Sequence, residues 1–213
     1  KQASKTYNYE KNQHLQMHYM AHSCHIGPGL SAIDIFVFLY NVWLTEERRF
    51  ILSKGHAASA LYAALYTAGK LSEDELSTYC QEGTLLPAHP AALAFEEIPF
   101  ATGSLGHGLS IAAGIAFANK YYQKNDHAVA CLLSDGECNE GSTWEAALFA
   151  GHHKLDNLIV IIDRNGLQGF GYTKEILDTE PLAKKWESFG FTVQECNGHD
   201  FSEISHAFKN LKP

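Results

Sequence analysis

Ala128-Val129-Ala130-Cys131-Leu132-Leu133-Ser134-Asp135-Gly136-Glu137 decides the fold. An unbroken apolar run ends there on a small residue, an acid and a glycine. A second apolar run, Leu158-Ile159-Val160-Ile161-Ile162-Asp163, follows and leads into Asn165. Between the two lies Asn139-Glu140-Gly141-Ser142-Thr143-Trp144-Glu145-Ala146-Ala147-Leu148, which reads as a helix. The unit is strand, helix, strand. A right-handed crossover makes the strands parallel and brings both carboxyl ends to one edge of the sheet. In open α/β sheets, ligands bind at that edge. A carboxylate (Asp135) and a carboxamide (Asn165) meeting there are hard oxygen donors, which suit Mg²⁺, or Ca²⁺ in its place, better than zinc. A magnesium ion held by so few side chains takes further ligands from phosphate oxygens, water and backbone carbonyls.

Outward from this unit, the pattern predicts alternating elements. A helix is expected over residues 7–26, broken by Gly27-Pro28-Gly29. The next helix starts near Ser31 and runs through Ile33, Ile35, Phe36, Phe38, Leu39 and Tyr40. Phe50-Ile51-Leu52-Ser53 reads as a strand, and residues 57–68 as an Ala- and Leu-rich helix ended by Gly69. Ser72-Glu73-Asp74-Glu75 is an N-cap with an acidic first turn, opening a helix to about Glu82. Residues 83–103 lack a period and hold Pro87, Pro90 and Pro99, the mark of a long functional loop. A helix over 105–122 follows, with Gly114 expected at a close packing contact. Helices over 181–189 and 201–211 flank a predicted strand, Phe191 to Cys196. Such alternation implies an α/β fold, a doubly wound parallel sheet with helices on both faces. The whole of 1–213 is expected to be a single domain.

The 213 residues are 46% hydrophobic and 19% charged, values of a globular chain with a sizeable core. A net charge of −8 and the lack of any Lys/Arg cluster argue against nucleic acid as a partner. No apolar stretch is expected to reach the length of a membrane span, and Lys1-Gln2-Ala3-Ser4-Lys5 does not read as a signal peptide. Five scattered cysteines without a Cys-x-x-Cys pair point to reduced thiols and a cytoplasmic protein.

Twelve histidines are an unusual load. His14, His18 and His22 share one helical face and read as a surface or interface stripe. They lack the Glu of a His-Glu-x-x-His metal site. His25 stands in Ser23-Cys24-His25-Ile26-Gly27-Pro28-Gly29, His56 in Ser53-Lys54-Gly55-His56-Ala57, and His89 in Pro87-Ala88-His89-Pro90. Gly103-Ser104-Leu105-Gly106-His107-Gly108, preceded by Thr102, is a Gly-rich entry to a helix.

Asp135-Gly136 with Asn165 about thirty residues on resembles the thiamine-diphosphate signature. Glu137-Cys138-Asn139-Glu140-Gly141-Ser142-Thr143-Trp144-Glu145-Ala146 and Asp163-Arg164-Asn165-Gly166-Leu167-Gln168 resemble transketolase in particular. The likeness covers the diphosphate-binding amino-terminal part of that family, from about Tyr19 to about Asn210. It implies Mg²⁺ held by Asp135, Asn165 and the backbone carbonyl of Leu167. It implies thiamine diphosphate bound by His56, Gly103, Ser104, Leu105, Asp135, Gly136, Glu137 and Asn165. It implies that His25 and His89 contact a sugar or sugar-phosphate substrate, that His56 also contacts the reacting oxygen, and that Glu140 joins a buried carboxylate network across a dimer. Imidazole suits this work because it donates or accepts a proton near neutral pH. The chain departs from the family at Ser134, where Gly is usual, and at His107, where many relatives have Gln.

The implied activity is transfer of a two-carbon ketol unit from a ketose to an aldose or other aldehyde. The pyrimidine-binding domain is expected on a partner, the carboxy-terminal transketolase subunit, in an α₂β₂ assembly. Two rival readings stay open. One is another thiamine-diphosphate enzyme, such as a deoxyxylulose-phosphate synthase or a 2-oxo acid dehydrogenase α subunit. The other is a noncatalytic subunit that only holds cofactor.

Overall fold

The computed structural model describes residues 2–211, so the start at Lys1 and the end at Pro213 lie outside the described residues. Backbone contacts divide the chain into two compact units. The first comprises Lys1–Leu44, Gly55–Gly103 and Asn197–His206. The second comprises Thr45–Lys54, Ser104–Cys196 and Ala207–Pro213.

The second unit carries the sheet. β1 (Arg48–Leu52), β2 (Ala128–Ser134) and β3 (Leu158–Asp163) form three parallel strands in the order β1-β2-β3. The register pairs Leu52 with Leu132 and Ser134 with Asp163, which aligns the carboxyl ends. β2 is central and buried from Val129 to Ser134, as a parallel strand covered on both faces must be. Val129, Cys131 and Leu133 on one face pack with Leu109, Ala112, Ala113 and Ala116 of α5 (Gly108–Phe117). Ala146, Ala147 and Ala150 of α6 (Gly141–His152) and Leu182 and Trp186 of α8 (Leu182–Ser188) complete that layer. Alanines on α5 and α6 let both helices approach the sheet closely. Ala130 and Leu132, on the opposite face of β2, are buried as completely, so this is a parallel sheet with helices on both sides. Each fully buried Leu contributes roughly 1.5–3 kcal/mol. After β3 come a small hairpin of β4 (Leu167–Gln168) and β5 (Gly171–Tyr172) and the short α7 (Thr173–Ile176).

The first unit is mainly helical. α1 (Gln2–Ala21), α2 (Ile26–Phe38) and α3 (Ala58–Thr67) pack against one another, followed by α4 (Glu73–Ser77). α3 is buried throughout Ala58–Leu65, and the Tyr62 hydroxyl donates to the Pro87 carbonyl at 3.0 Å, anchoring the irregular segment that follows. That segment, 83–103, forms no helix or strand, as expected. Ser72 and Glu75 complete the expected capping box of α4. In α9 (Phe201–Asn210), Phe201 meets Phe38 of α2 edge-on.

Several expectations need correction. Gly27-Pro28-Gly29 does not break a helix: it lies in the first turn of α2, where Pro needs no amide proton. The break falls instead at residues 22–25. α4 stops at Ser77, and the chain turns before Glu82. Residues 191–196 form no strand. Phe191 and Val193 alternate inward onto the core of the second unit, but the segment makes no ladder with the sheet. Gly114 faces open space and serves no close contact. One run, Ile26–Trp43, is long and apolar enough to cross a membrane, contrary to expectation. More than half of it is buried, because α2 is a core helix that continues into a wider turn, Leu39–Trp43.

Candidate active site

In the second unit the strand ends converge on Asp135, which is only 3% exposed. Its Oδ1 accepts from the Gly136 amide at 2.9 Å. Its Oδ2 accepts from the Gly166 amide at 2.9 Å and the Thr173 hydroxyl at 3.1 Å. The Asp135 amide donates to the Asp163 carbonyl at 3.2 Å, which stitches the end of β2 to that of β3. Asn165 sits beside this acid through Gly166. Its Oδ1 accepts from the Leu167 amide at 2.9 Å. Gly136 faces Gln168, whose Cβ would lie 3.0 Å from a side chain placed on it.

Beneath lies a carboxylate whose arrangement the sequence did not reveal. Glu137 is fully buried. Its Oε1 accepts from the Ser53 hydroxyl and, at 2.8 Å, from the Gly106 amide. Its Oε2 accepts from the Ser134 amide at 3.3 Å. Burial pushes its pKa up, against the pull of these donors and of Lys54. Its carboxylate is thus directed to the strand ends and the Gly-rich turn. Ser134, where the family has Gly, accepts from the Glu137 amide at 3.2 Å, so its hydroxyl closes the same turn. Lys54 is also fully buried and paired with Asp163, joining the ends of β1 and β3. A lysine at the end of an apolar strand was the available signal, since buried lysines are paired. Gly106 has φ +81°, and a Cβ there would fall 2.7 Å from Glu140 Cβ and 2.4 Å from Ser142 Oγ. Leu105 precedes it in the same turn, and Ser104 opens this unit's second segment. Glu140 itself is the N-cap residue of α6 and is exposed in the single chain, not buried.

In the first unit three histidines far apart in sequence come together. The His25 ring centroid lies 6.0 Å from that of His56 and 5.4 Å from that of His89. His25 stands at the start of α2 in a left-handed conformation. His56 is in the short turn Gly55–Ala57, and His89 is on the irregular segment. Burial, then the neighbouring His25, lowers the pKa of His89. Gly103, at φ +140°, lets the His89 ring approach: a Cβ there would be 2.7 Å from His89 Cδ2. Gly55 is needed for a similar reason, with the Thr102 carbonyl 2.6 Å from its absent Cβ.

The expected surface stripe on α1 is corrected. His14 and His18 are buried, and only His22 is exposed. Glu10, one turn earlier on the same face, is buried too. The sequence signal was present, because Glu10, His14 and His18 fall at i, i+4 and i+8.

A parallel sheet with an acid and an amide gathered at its carboxyl edge defines a cofactor-binding domain of the open α/β class. Residues 14–213 match the family described as "Transketolase, thiamine diphosphate binding domain", and the chain belongs to that family. A protein of Actinobacillus succinogenes named as one subunit of an apulose-4-phosphate transketolase is 42% identical over 198 residues, covering 89% of this chain and 71% of the relative. The 6-deoxy-6-sulfo-D-fructose transketolase subunit SqwG of a Clostridium species is 40% identical over 200 residues, covering 88% and 71%. The crystal structure of transketolase from Campylobacter jejuni superposes with a TM-score of 0.91 at 31% identity, over 98% of this chain and 35% of that one. This chain therefore spans about a third of the length of the solved transketolase.

Proposed function

We propose that this chain is the diphosphate- and Mg²⁺-binding half of a two-subunit transketolase, acting with a carboxy-terminal subunit that carries the pyrimidine-binding domain. The observation that carries the reading is family membership joined to relatives that are each named as one subunit of a transketolase. The partner is a proposal from those names. So are a sugar or sugar-phosphate substrate, the α₂β₂ assembly and the cytoplasmic location, the last supported by five free thiols.

The donor set fits a divalent cation. Asp135 receives three hydrogen bonds, which leaves an acceptor site out of about four on an ionised carboxylate. Asn165 Oδ1 receives one and keeps a lone pair. Both are hard oxygens, and with the Leu167 carbonyl they would hold Mg²⁺, or Ca²⁺, against the cofactor diphosphate. Thr102 Oγ1, just before the Gly-rich entry, is buried without a hydrogen-bond partner among the described residues. Such an orphan polar atom supports a ligand there. Gly136 lets backbone approach the diphosphate. Glu137, Ser53 and Ser134 hold the turns on which these groups stand.

Thiamine diphosphate supplies the electron sink for cleavage and formation of the carbon–carbon bond. The chain supplies position and proton transfer. His25 and His89 would orient the sugar by hydrogen bonds to its carbonyl and hydroxyl oxygens. The depressed pKa of His89 keeps its ring neutral near pH 7, able to donate from one nitrogen and accept at the other.

The test is coexpression of this chain with the product of the adjacent gene, followed by assay of ketol transfer with thiamine diphosphate and Mg²⁺. Turnover that needs both polypeptides supports the reading. A 2-oxo acid dehydrogenase activity in its place, or cofactor retention with no turnover on any ketose, transfers the assignment to one of the rivals.

A further inference from the structure

His25 is presented by a turn that is costly to make. Four residues, His22 to His25, reverse the chain between α1 and α2. Two of them are left-handed without being glycine, His22 at φ 48° and His25 at φ 67°. Such conformations persist only where the surroundings over-determine them.

Two buried rings on α1 supply that constraint. His18 closes on the turn from the end of α1. Its Nδ1 lies 2.8 Å from Ser23 Oγ and 3.3 Å from the Ser23 carbonyl oxygen, and its Nε2 lies 2.8 Å from Ser59 Oγ on α3. A neutral imidazole has one donor and one acceptor, and a hydroxyl can answer either. Both tautomers therefore tie Ser23 to Ser59 through the ring. Tyr79 flanks the same ring edge-on, with its hydroxyl 3.4 Å from Ser23 Oγ. His14 grips the other side of the turn. Its Nε2 donates to the Ile26 carbonyl at 3.1 Å, and its ring lies so close to Gly29 that a Cβ there would be 2.2 Å from Cε1. The two rings meet edge to face at 4.6 Å. Burial lowers the pKa of both, so neither becomes a charged donor that would break the pattern near neutral pH. The turn is thus held at Ser23, at Ile26 and at Gly29. Between these anchors His25 is exposed, as is Cys24, and its ring faces His56 and His89.

We propose that His18, backed by His14, is a positioning residue that locks the left-handed turn and so fixes the His25 ring within the histidine trio. It acts through Ser23. The inference rests on the proposed role of His25 toward the sugar. A misplacement of the order of 1 Å can cost about 10²-fold in rate, which makes a ring behind the site matter to the reaction.

The test uses the full chain for ring ¹H–¹⁵N spectra and its complex with the partner subunit for kinetics. His18→Phe keeps the shape and removes both nitrogens. It should move the His25 ring resonances and lower kcat by roughly 10–100-fold, with cofactor affinity unchanged. Adding His25→Ala should cause no loss beyond that of His25→Ala alone, since the two act as one unit. His18→Asn, whose amide can stand in for Nδ1, should recover part of the rate. Ser23→Ala leaves the buried rings in place and should move the same resonances, which keeps the test decisive if His18→Phe fails to fold. Unmoved His25 resonances in the variants that fold, or losses that multiply in the double variant, overturn the proposal. If His25→Ala alone leaves transfer intact, the sugar-contact reading fails, while the resonances still decide whether His18 positions the ring.

Discussion

Asp135 uses most of its acceptor capacity inside the protein, and this changes what its removal would do. Asp135→Ala strips an acceptor from two amides and a hydroxyl, each buried donor left unmet costing about 1–3 kcal/mol. The variant should therefore lose stability as well as Mg²⁺. Asp135→Asn keeps the shape, removes the charge and sets its NH2 against a donor that Asp135 satisfies, so it costs some stability but less than Asp135→Ala. It should lower Mg²⁺-dependent thiamine diphosphate affinity by at least about tenfold, read by calorimetry with the partner present. An unchanged affinity would refute the metal assignment. His25→Ala and His89→Ala should leave that affinity intact and slow transfer by roughly 10²–10⁴-fold. Equal losses of binding and rate would instead place these rings on the cofactor. Glu10 gives a different residue-scale test. Burial, partly offset by Thr67 and Asn41, raises its pKa from 4.5 to about 7. A carboxyl raised on folding contributes stability below its unfolded pKa and loses it as pH rises through about 7. The shift corresponds to about 3 kcal/mol. His14, lowered by burial from 6.5 to about 4, runs the other way, contributing above pH 6.5 and losing it as pH falls through about 4. Glu10→Gln still accepts from Thr67 and has no charge to bury. Its melting temperature relative to the native chain should rise from pH 5 to pH 8, and parallel curves would show that Glu10 does not titrate in this window.

At the scale of elements, the strand ends act as one braced edge. Glu137 ties the end of β1 through Ser53, the Gly-rich turn through Gly106 and the end of β2 through Ser134. Glu137→Gln turns one acceptor into a donor facing donors. It should cost about 1–3 kcal/mol in urea unfolding and weaken cofactor binding together with it. Gly106→Ala adds a Cβ at positive φ against Glu140 and Ser142, and should cost at least about 1–2 kcal/mol. If either variant unfolds like the native chain, the brace is not what holds this edge. The same edge explains how far the sequence could be read. β2 announced itself because a central parallel strand is apolar on both faces, β3 by a second unbroken apolar run, and Asp135 and Asn165 were legible as the residues that follow them. Residues 191–196 show the apolar alternation of a strand, and Phe191 and Val193 do turn inward. Periodicity reports burial, though, and cannot report whether a neighbouring strand is present to bond with. Gly27-Pro28-Gly29 reads as a breaker, yet Pro and Gly are tolerated in a first helical turn, so the same letters start α2. The buried face of α1 was misjudged because Glu10, His14 and His18 are polar. Only their three-dimensional partners, Thr67, Ile26, Ser23 and Ser59, show why they are inside. Glu137 was expected at the cofactor, and its part in bracing the edge is legible only from its donors, Ser53, Gly106 and Ser134.

At the scale of the whole molecule, one chain leaves a good deal exposed beside its ligand edge. Glu140 begins α6 on the surface, beside the turn that Gly106 shapes. Leu167, Phe170, Tyr172 and Leu177, on and after the hairpin that follows Asn165, are exposed large apolar residues. Apolar side chains gathered next to a ligand edge favour a covering partner. Under the proposed function that cover is the pyrimidine-domain subunit, which would clasp one end of the cofactor while this chain holds the diphosphate. Binding and assembly are then reciprocally linked: cofactor tightens the complex by the factor with which the complex tightens cofactor. The purified chain alone should bind thiamine diphosphate weakly and transfer no ketol unit. Mixed with the partner it should reach the mass of an α₂β₂ assembly, gain activity, and dissociate more readily when Mg²⁺ is chelated. Phe170→Asp should weaken that assembly and leave the melting of the isolated chain unchanged, because its ring is 94% exposed there. Light scattering and turnover on the same samples decide the matter. Ordinary turnover by the isolated chain would end the two-subunit reading, and an assembly indifferent to both cofactor and Phe170→Asp would place the partner on another face.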